Sequence, residues 1–159
     1  MAFTVDYDAA KQGFSLIEPG DYECVIMEVV PVTAKSGTQG FKFTIKLRDD
    51  VAQESAGRDF EQTMWTKKDT GQLPNGMLNA MAKAIGLPNG KQYGSALELF
   101  GDMVFKPFLG ELIIEEQEYG DDKKIWKSNR IVKWHETKFP NLNMLKPGYT
   151  AVDNNDVPF

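Results

Sequence analysis

Residues 41–50 have the sequence FKFTIKLRDD, and this stretch gives the clearest strand signal in the chain. Apolar side chains alternate strictly with polar ones along it. The apolar set is Phe41, Phe43, Ile45 and Leu47, and the polar set is Lys42, Thr44, Lys46 and Arg48. Because successive side chains of a β-strand point to opposite faces, this period of two predicts a half-buried strand. Its apolar face belongs to a core, and its outer face is basic.

Runs on both sides of this stretch continue the β pattern. β-branched or alternating segments flank it, and two more follow later, each bounded by turn-forming residues. The five predicted strands are residues 22–32, 41–50, 58–66, 108–119 and 125–137. Loops at 33–40 and 119–124 join the first two and the last two strands.

The period becomes helical between the third and fourth strands. Apolar residues recur at helical spacing from Met77 to Ile85, and Ser95 with Glu98 forms a capping box for a short second helix. This element order is the one expected of an OB-fold. The sequence therefore predicts an all-β fold with a small helical insertion: a five-stranded Greek-key barrel with a helix between strands 3 and 4. Ligands of that fold lie across strands 2 and 3.

The chain's totals argue against several classes of function. Its 159 residues suit one domain, and its formal net charge of -5 does not suit a protein with a uniformly basic surface. A single cysteine, Cys24, and a single histidine, His135, are too few for a Cys/His zinc site. His135 has no partner nucleophile at a recognisable spacing, and strand alternation divides the acids of residues 115–122 between two faces. The sequence predicts no enzyme, no metal and no cofactor.

The two ends of the chain differ from the regular part between them. The start has no basic segment followed by an apolar one, so it predicts no signal or transit peptide, and no apolar run approaches a bilayer span. The expected location is the cytoplasm, without membrane contact. From residue 138 onward the periodicity is lost and Pro, Asn and Gly increase. This shift predicts a domain of residues 1–137 and a flexible tail of residues 138–159.

Strands 2 and 5 carry the mixture of cations and aromatic rings that a surface for single-stranded nucleic acid needs. Alternation places Trp126, Arg130 and Trp134 on one face of strand 5, a ladder that suits base stacking and cation–π contact. The predicted DNA-binding residues are Lys35, Lys42, Lys46, Arg48, Trp65, Trp126, Lys127, Arg130 and Trp134. Burial in the core is the alternative for the tryptophans, and a bulge between Asn129 and Ile131 would reverse which face points inward.

The last seven residues, DNNDVPF, bring two acids, a valine, a proline and a phenylalanine together. This tip resembles the acidic C-terminal tip of bacterial-type single-stranded DNA-binding proteins, in which a phenylalanine enters an apolar pocket on a partner protein. The residues predicted to bind a partner are Asp153, Asp156, Val157, Pro158 and Phe159. Only two acids precede the VPF, separated by two asparagines, so the resemblance implies binding that is weaker or specific to one partner.

Most of the remaining chain is similar to phage-encoded single-stranded DNA-binding proteins of the kind carried by phages of Gram-positive bacteria. The similar segments are residues 3–26, 40–50, 77–86 and 129–134. The resemblance implies an OB-fold that coats single-stranded DNA without regard to sequence during phage DNA replication or recombination. It also implies recruitment of host or phage replication and recombination proteins through the tip, in the cytoplasm of the host cell.

Other functions stay open at this point. A non-catalytic β-barrel that binds a protein, such as a phage inhibitor or assembly factor, predicts little salt dependence and no affinity for oligonucleotides. A small hydrolase or nuclease would need clustered carboxylates or an activated nucleophile, which the sequence does not assemble. Unpaired edge strands could also join copies of the chain, so a homo-oligomer is a further possibility.

Overall fold

The chain folds as five strands with two helices between the third and the fourth. The computed structural model describes residues 16–120 and 123–145. Strands hold 43% of these residues and helices 15%, so the fold is mostly β, as predicted. The strands are β1 (Gly20–Thr33), β2 (Gln39–Leu47), β3 (Asp59–Trp65), β4 (Pro107–Tyr119) and β5 (Lys124–His135). The helices are α1 (Asn75–Ile85) and α2 (Ala96–Met103).

All five strands belong to one antiparallel sheet with the order β3-β2-β1-β4-β5. The long β1 lies at its centre, because the first part of the strand pairs with β4 and the later part pairs with β2. The pairing of β1 with β2 shifts at Met27, where a bulge increases the local bend and twist. The bent central strand allows β3 and β5 to approach each other.

A side chain links these two edge strands. Gln62 of β3 accepts a hydrogen bond from the backbone N–H of Ile131 in β5, at 2.7 Å, and its amide nitrogen lies 3.5 Å from the Ile131 carbonyl oxygen. Within the described part of the chain, no backbone ladder joins β3 to β5. The five predicted strands are confirmed as one antiparallel sheet, and the Gln62 side-chain amide bridges its two edge strands.

The core forms on the side of the sheet that the alternation of residues 41–50 predicts. Phe43, Ile45 and Leu47 are all buried. The ring of Phe100 from α2 packs edge-to-face on Phe43, with the ring centroids 4.9 Å apart. Such a pair contributes about 0.5–1.5 kcal/mol beyond the burial of its area. The predicted helix start is also confirmed, since the Ser95 hydroxyl accepts a hydrogen bond from the Glu98 backbone N–H.

Arg48 does not lie on the outer face of β2, so its predicted position there is wrong. The alternation of the sequence continues to residue 48, but the strand ends at Leu47 and the Arg48 side chain is fully buried. Its guanidinium forms a two-point pair with Asp50, at 2.9 and 2.7 Å. It also donates to the carbonyl oxygens of Phe139 and Asn141, at 2.6 and 3.1 Å.

The Arg48 network holds the segment that follows β5 against the sheet. The Glu23 carboxylate is also buried, and it accepts hydrogen bonds from the Thr137 hydroxyl and the Lys138 N–H. The Asp50 carboxylate accepts a further bond from the Asn143 N–H, at 2.8 Å. Residues 138–143, the first part of the predicted tail, therefore lie along the domain.

We expect Asp50 to make stability pH-dependent in the acid range. Hydrogen bonds from Arg48 hold the pKa of the Asp50 carboxyl below its usual value. A group with a depressed folded-state pKa contributes stability above its unfolded pKa, about 4 for aspartate, and loses it as the pH falls toward the folded value. The free energy of unfolding in urea, measured from about pH 7 to about pH 3, should therefore fall more steeply in the wild type than in Asp50→Asn.

The matched control is Asp49→Asn, because the Asp49 side chain is about half exposed and pairs only with Lys46 in the described structure. It should keep the acid sensitivity of the wild type. Equal pH slopes in the wild type and Asp50→Asn would contradict the stabilising role assigned to the Arg48–Asp50 pair.

Candidate nucleic-acid interface

A groove with a tryptophan on each strand runs along the outer surface where β3 approaches β5. Trp65 from the end of β3 and Trp126 from the start of β5 line it together with Arg130. Its volume is about 310 Å³. The remaining lining is polar and comprises Glu61, Gln62, Thr63, Glu115, Gln117, Ser128 and Asn129. We call this feature the tryptophan groove.

Trp65 faces the tryptophan groove because of its position in β3. Along this strand Met64 is buried in the core, while the next residue, Trp65, is 43% exposed. Glu61 and Thr63 share the outer side with Trp65, as the alternation of residues 58–66 predicts. The indole thus presents a large flat surface at the edge of the sheet.

Only part of the predicted ladder on β5 is correct, because this strand contains a bulge. Leu112 of β4 pairs with Ile131, but the preceding Glu111 pairs with Lys133, so Val132 is an extra residue. A bulge reverses the alternation beyond it. Trp126 is therefore 63% exposed, whereas Trp134 is only 7% exposed.

Trp134 is a core residue, so its predicted place on one exposed face with Trp126 and Arg130 is wrong. Its ring lies against Phe108, with the centroids 4.4 Å apart, and it stands opposite Gly110 on β4. A β-carbon at Gly110 would come within 2.8 Å of Cδ1 of Ile131, so a side chain there would require the end of the Ile131 side chain to shift. The bulge that turns Trp134 inward lies just after Ile131, slightly beyond the position that the sequence suggests.

The predicted lysines are on the surface, but most of them already have acidic neighbours. The three ion pairs join Lys42 to Glu61 at 3.1 Å, Lys46 to Asp49 at 3.5 Å and Lys127 to Glu116 at 3.6 Å. Exposed pairs of this kind contribute at most about 1 kcal/mol, so a phosphate can compete for the lysines. Lys35 is exposed in the loop between β1 and β2.

Arg130 is the cation that lines the tryptophan groove itself. Among the described residues, no carboxylate lies within ion-pair distance of its guanidinium. The two acids that line the groove, Glu61 and Glu115, come from β3 and β4, and Glu61 is paired with Lys42. The groove therefore combines two exposed indoles with one guanidinium, which can meet both the bases and the phosphates of a single strand.

A second groove adjoins the first at Trp126. It has a volume of about 990 Å³, and its apolar lining includes Ile17, Phe60 and Ile125. Asn129 fixes one wall, because its side-chain amide accepts from the Ile17 N–H at 2.9 Å and donates to the Ile17 carbonyl at 2.8 Å. Lys127 also lines this groove. Trp126 and Lys127, both predicted to bind DNA, therefore lie beside the same surface.

Several predicted features fall outside the described residues. The partner-binding residues Asp153, Asp156, Val157, Pro158 and Phe159 all lie there, as does the middle of the turn between β4 and β5. The loop between β1 and β2 is described, and it forms a shallow depression with the segment after β3. That depression is lined by two more lysines, Lys67 and Lys68.

The described residues offer no clear metal or redox site. No group of three or more His, Cys, Asp or Glu side chains among them could hold a metal ion. Burial raises the pKa of the Cys24 thiol, which makes it an inert packing group. Among the same residues, no helix has the length and apolar character that a membrane crossing requires.

The comparison with known families adds one finding. A family model described as "Protein of unknown function (DUF669)" matches residues 3–155, which is nearly the whole chain. The chain belongs to this family. A search among curated proteins finds no match. Because the family description names no ligand, the function has to be inferred from the grooves.

The sequence pattern does not single out three residues that shape the site. Gln62 joins the two strands that border the groove, Asn129 fixes its apolar extension, and Gly40 lies directly across from Trp65. Gln62 and Asn129 bond to residues 69 and 112 positions away, and no local pattern carries such information. Gly40 has a local signal, since it is a glycine at the start of a strong strand, where a close approach is common.

Proposed function

We propose that this protein binds single-stranded DNA without regard to sequence, through the tryptophan groove, and that it has no catalytic role. The observation that carries the proposal is that Trp65 and Trp126, both well exposed, line one groove together with Arg130. An exposed indole presents a flat apolar surface, and every base offers a flat face that can stack on it. Stacking of this kind tolerates any sequence.

We also infer that the sheet is an OB-type barrel. The strand order β3-β2-β1-β4-β5 and the position of both helices between β3 and β4 support this inference. The link from Gln62 to Ile131 supports it further, because β3 and β5 are the strands that meet when such a sheet curls. OB-folds bind oligonucleotides on the outer face of strands 2 and 3, which is where Lys42 and Trp65 lie.

Cations around the tryptophan groove are suited to the sugar-phosphate backbone. Arg130 lies in the groove, Lys42 and Lys46 are part of the adjacent strand β2, and Lys35 lies in the loop between β1 and β2. A chain with a net charge of -5 attracts DNA only where cations are concentrated, so binding should be local and salt-dependent. A duplex keeps its bases stacked inside and cannot use the indoles.

The wider role follows from this binding. A protein of this kind would coat single strands during phage DNA replication or recombination, and the tip at residues 153–159 would recruit other replication or recombination proteins.

A non-catalytic protein-binding module is the second candidate. It is favoured by Ile125, which is 60% exposed beside the apolar second groove and suits a protein partner as well.

Titration of intrinsic tryptophan fluorescence with oligo-dT should distinguish the two candidates. We expect the single strand to quench the emission, whereas a duplex of equal length should compete poorly. Each phosphate that is neutralised changes the slope of log K against log salt by about -0.7 for single strands, so three or four contacts predict a slope of about -2 to -3. No binding of either nucleic acid, checked by gel shift, would contradict the proposal and favour the protein-binding module.

A further inference from the structure

Gly40 stands directly opposite Trp65 in the pairing of β2 with β3. The glycine is buried, although the tryptophan is 43% exposed. A β-carbon at position 40 would lie only 2.6 Å from Cε3 and 3.1 Å from Cδ2 of Trp65. Both of these atoms belong to the six-membered ring of the indole. The ring therefore occupies the space that a side chain on residue 40 would fill.

The backbone around this contact is also closely held. The same β-carbon would lie 2.9 Å from the carbonyl oxygen of Met64. Beyond the pair, both the N–H and the hydroxyl of Thr66 donate to the Gln39 carbonyl, each at 2.9 Å. These bonds fix the end of β3 to the start of β2. A larger residue at position 40 could not be accommodated by a simple shift of the strand, so the indole would have to move.

We propose that Gly40 is a positioning residue of the tryptophan groove, which holds the Trp65 indole against β2 so that its exposed side receives one base. This inference rests on the proposed function and adds to it a residue and a geometry. A ring that is already fixed before binding loses less conformational freedom when a base stacks on it. Trp65 is thus a preorganised stacking platform, and the absence of a side chain at residue 40 is what permits it.

A double-mutant cycle on oligo-dT affinity tests the proposal. Trp65→Ala should weaken binding about fivefold or more, which is the lower range for the loss of one stacked base. Gly40→Ala should weaken binding about threefold or more, because a displaced ring keeps only part of its contact. In the Trp65→Ala background, Gly40→Ala should have no further effect on affinity, although the strain at the Met64 carbonyl remains.

A spectroscopic measurement separates positioning from a merely structural role. In a Trp126→Phe background, Trp65 is the exposed reporter and Trp134 stays buried. Gly40→Ala should shift the emission to longer wavelength in the free protein and reduce its quenching by oligo-dT. The matched control is Gly76→Ala in α1, where a β-carbon meets nothing within 4 Å and both signals should be unchanged.

The outcomes distinguish this inference from the proposed function. If the wild type binds oligo-dT but Gly40→Ala binds equally well, the positioning role is wrong while the function stands. If Gly40→Ala lowers the affinity equally with and without Trp65, the residue acts through general stability and the proposal fails. If the wild type does not bind oligo-dT at all, the proposed function is overturned, and the positioning role of Gly40 is overturned as well.

Discussion

Replacing Arg48 by methionine is expected to lower the free energy of unfolding by about 3–5 kcal/mol, because it leaves buried charges without their partner. The Asp50 carboxylate would lose both of its hydrogen bonds from the guanidinium, and Glu23, 3.8 Å away, would lose the nearest cation. Two carbonyl oxygens of the segment after β5 would lose their donor as well. Urea unfolding at neutral pH measures the loss.

The matched control for Arg48→Met is Lys46→Met, two residues earlier in β2. The Lys46 side chain is partly exposed and forms one ion pair, so its replacement should cost less than about 1 kcal/mol. Similar losses in the two variants would contradict the structural role of Arg48. If Arg48→Met does not fold, Arg48→Lys keeps the charge but not the forked geometry and should show an intermediate loss.

Arg48→Lys also tests whether Arg48 has any part in binding. The side chain is fully buried and is not among the residues that line the tryptophan groove. A folded Arg48→Lys protein should therefore bind oligo-dT like the wild type. Weaker oligo-dT binding by a fully folded Arg48→Lys protein would show that Arg48 takes part in binding.

The sequence is informative wherever a strand is regular. The strict alternation of residues 41–50 predicts which side of β2 is core, and Phe43, Ile45 and Leu47 are indeed buried. In β3 the alternation sets Trp65 on the face opposite Met64, and the structure shows Met64 buried and Trp65 exposed, because β3 keeps its period from Asp59 to its end. In these segments the position of a side chain depends only on local backbone geometry, which sequence spacing reports directly.

The wrong predictions share one physical cause, which is that local spacing does not report where a strand ends or bulges. Arg48 continues the alternation by one residue, yet it is buried among contacts with Thr137, Phe139 and Asn141, about ninety positions away. Trp134 continues the pattern of β5, but the extra Val132 reverses its side. Contacts far along the chain bury Arg48, and a bulge in the pairing with β4 turns Trp134 inward; neither leaves a periodic signal in the sequence.

Removing both exposed tryptophans, in Trp65→Ala/Trp126→Ala, is expected to weaken oligo-dT binding by about 30-fold or more. Each stacked base contributes about 1–3 kcal/mol in alanine substitutions, and about 1.4 kcal/mol corresponds to a tenfold change in affinity. Both indoles line the tryptophan groove, but they come from different strands. If each receives its own base, the losses of the two single variants should add. Fluorescence anisotropy of a labelled oligonucleotide measures the affinity without relying on tryptophan emission.

Trp134→Phe is the matched control for this double variant. Trp134 is buried beside Phe108, so its replacement should change stability but leave affinity for oligo-dT unaltered. The slope of log K against log salt should also stay the same in the double variant, since indoles carry no charge. Arg130→Ala should instead reduce the slope by about 0.7, the share of one phosphate. The double variant removes both indoles and leaves every cationic contact in place. If it kept the wild-type affinity for oligo-dT, stacking in the tryptophan groove would be contradicted.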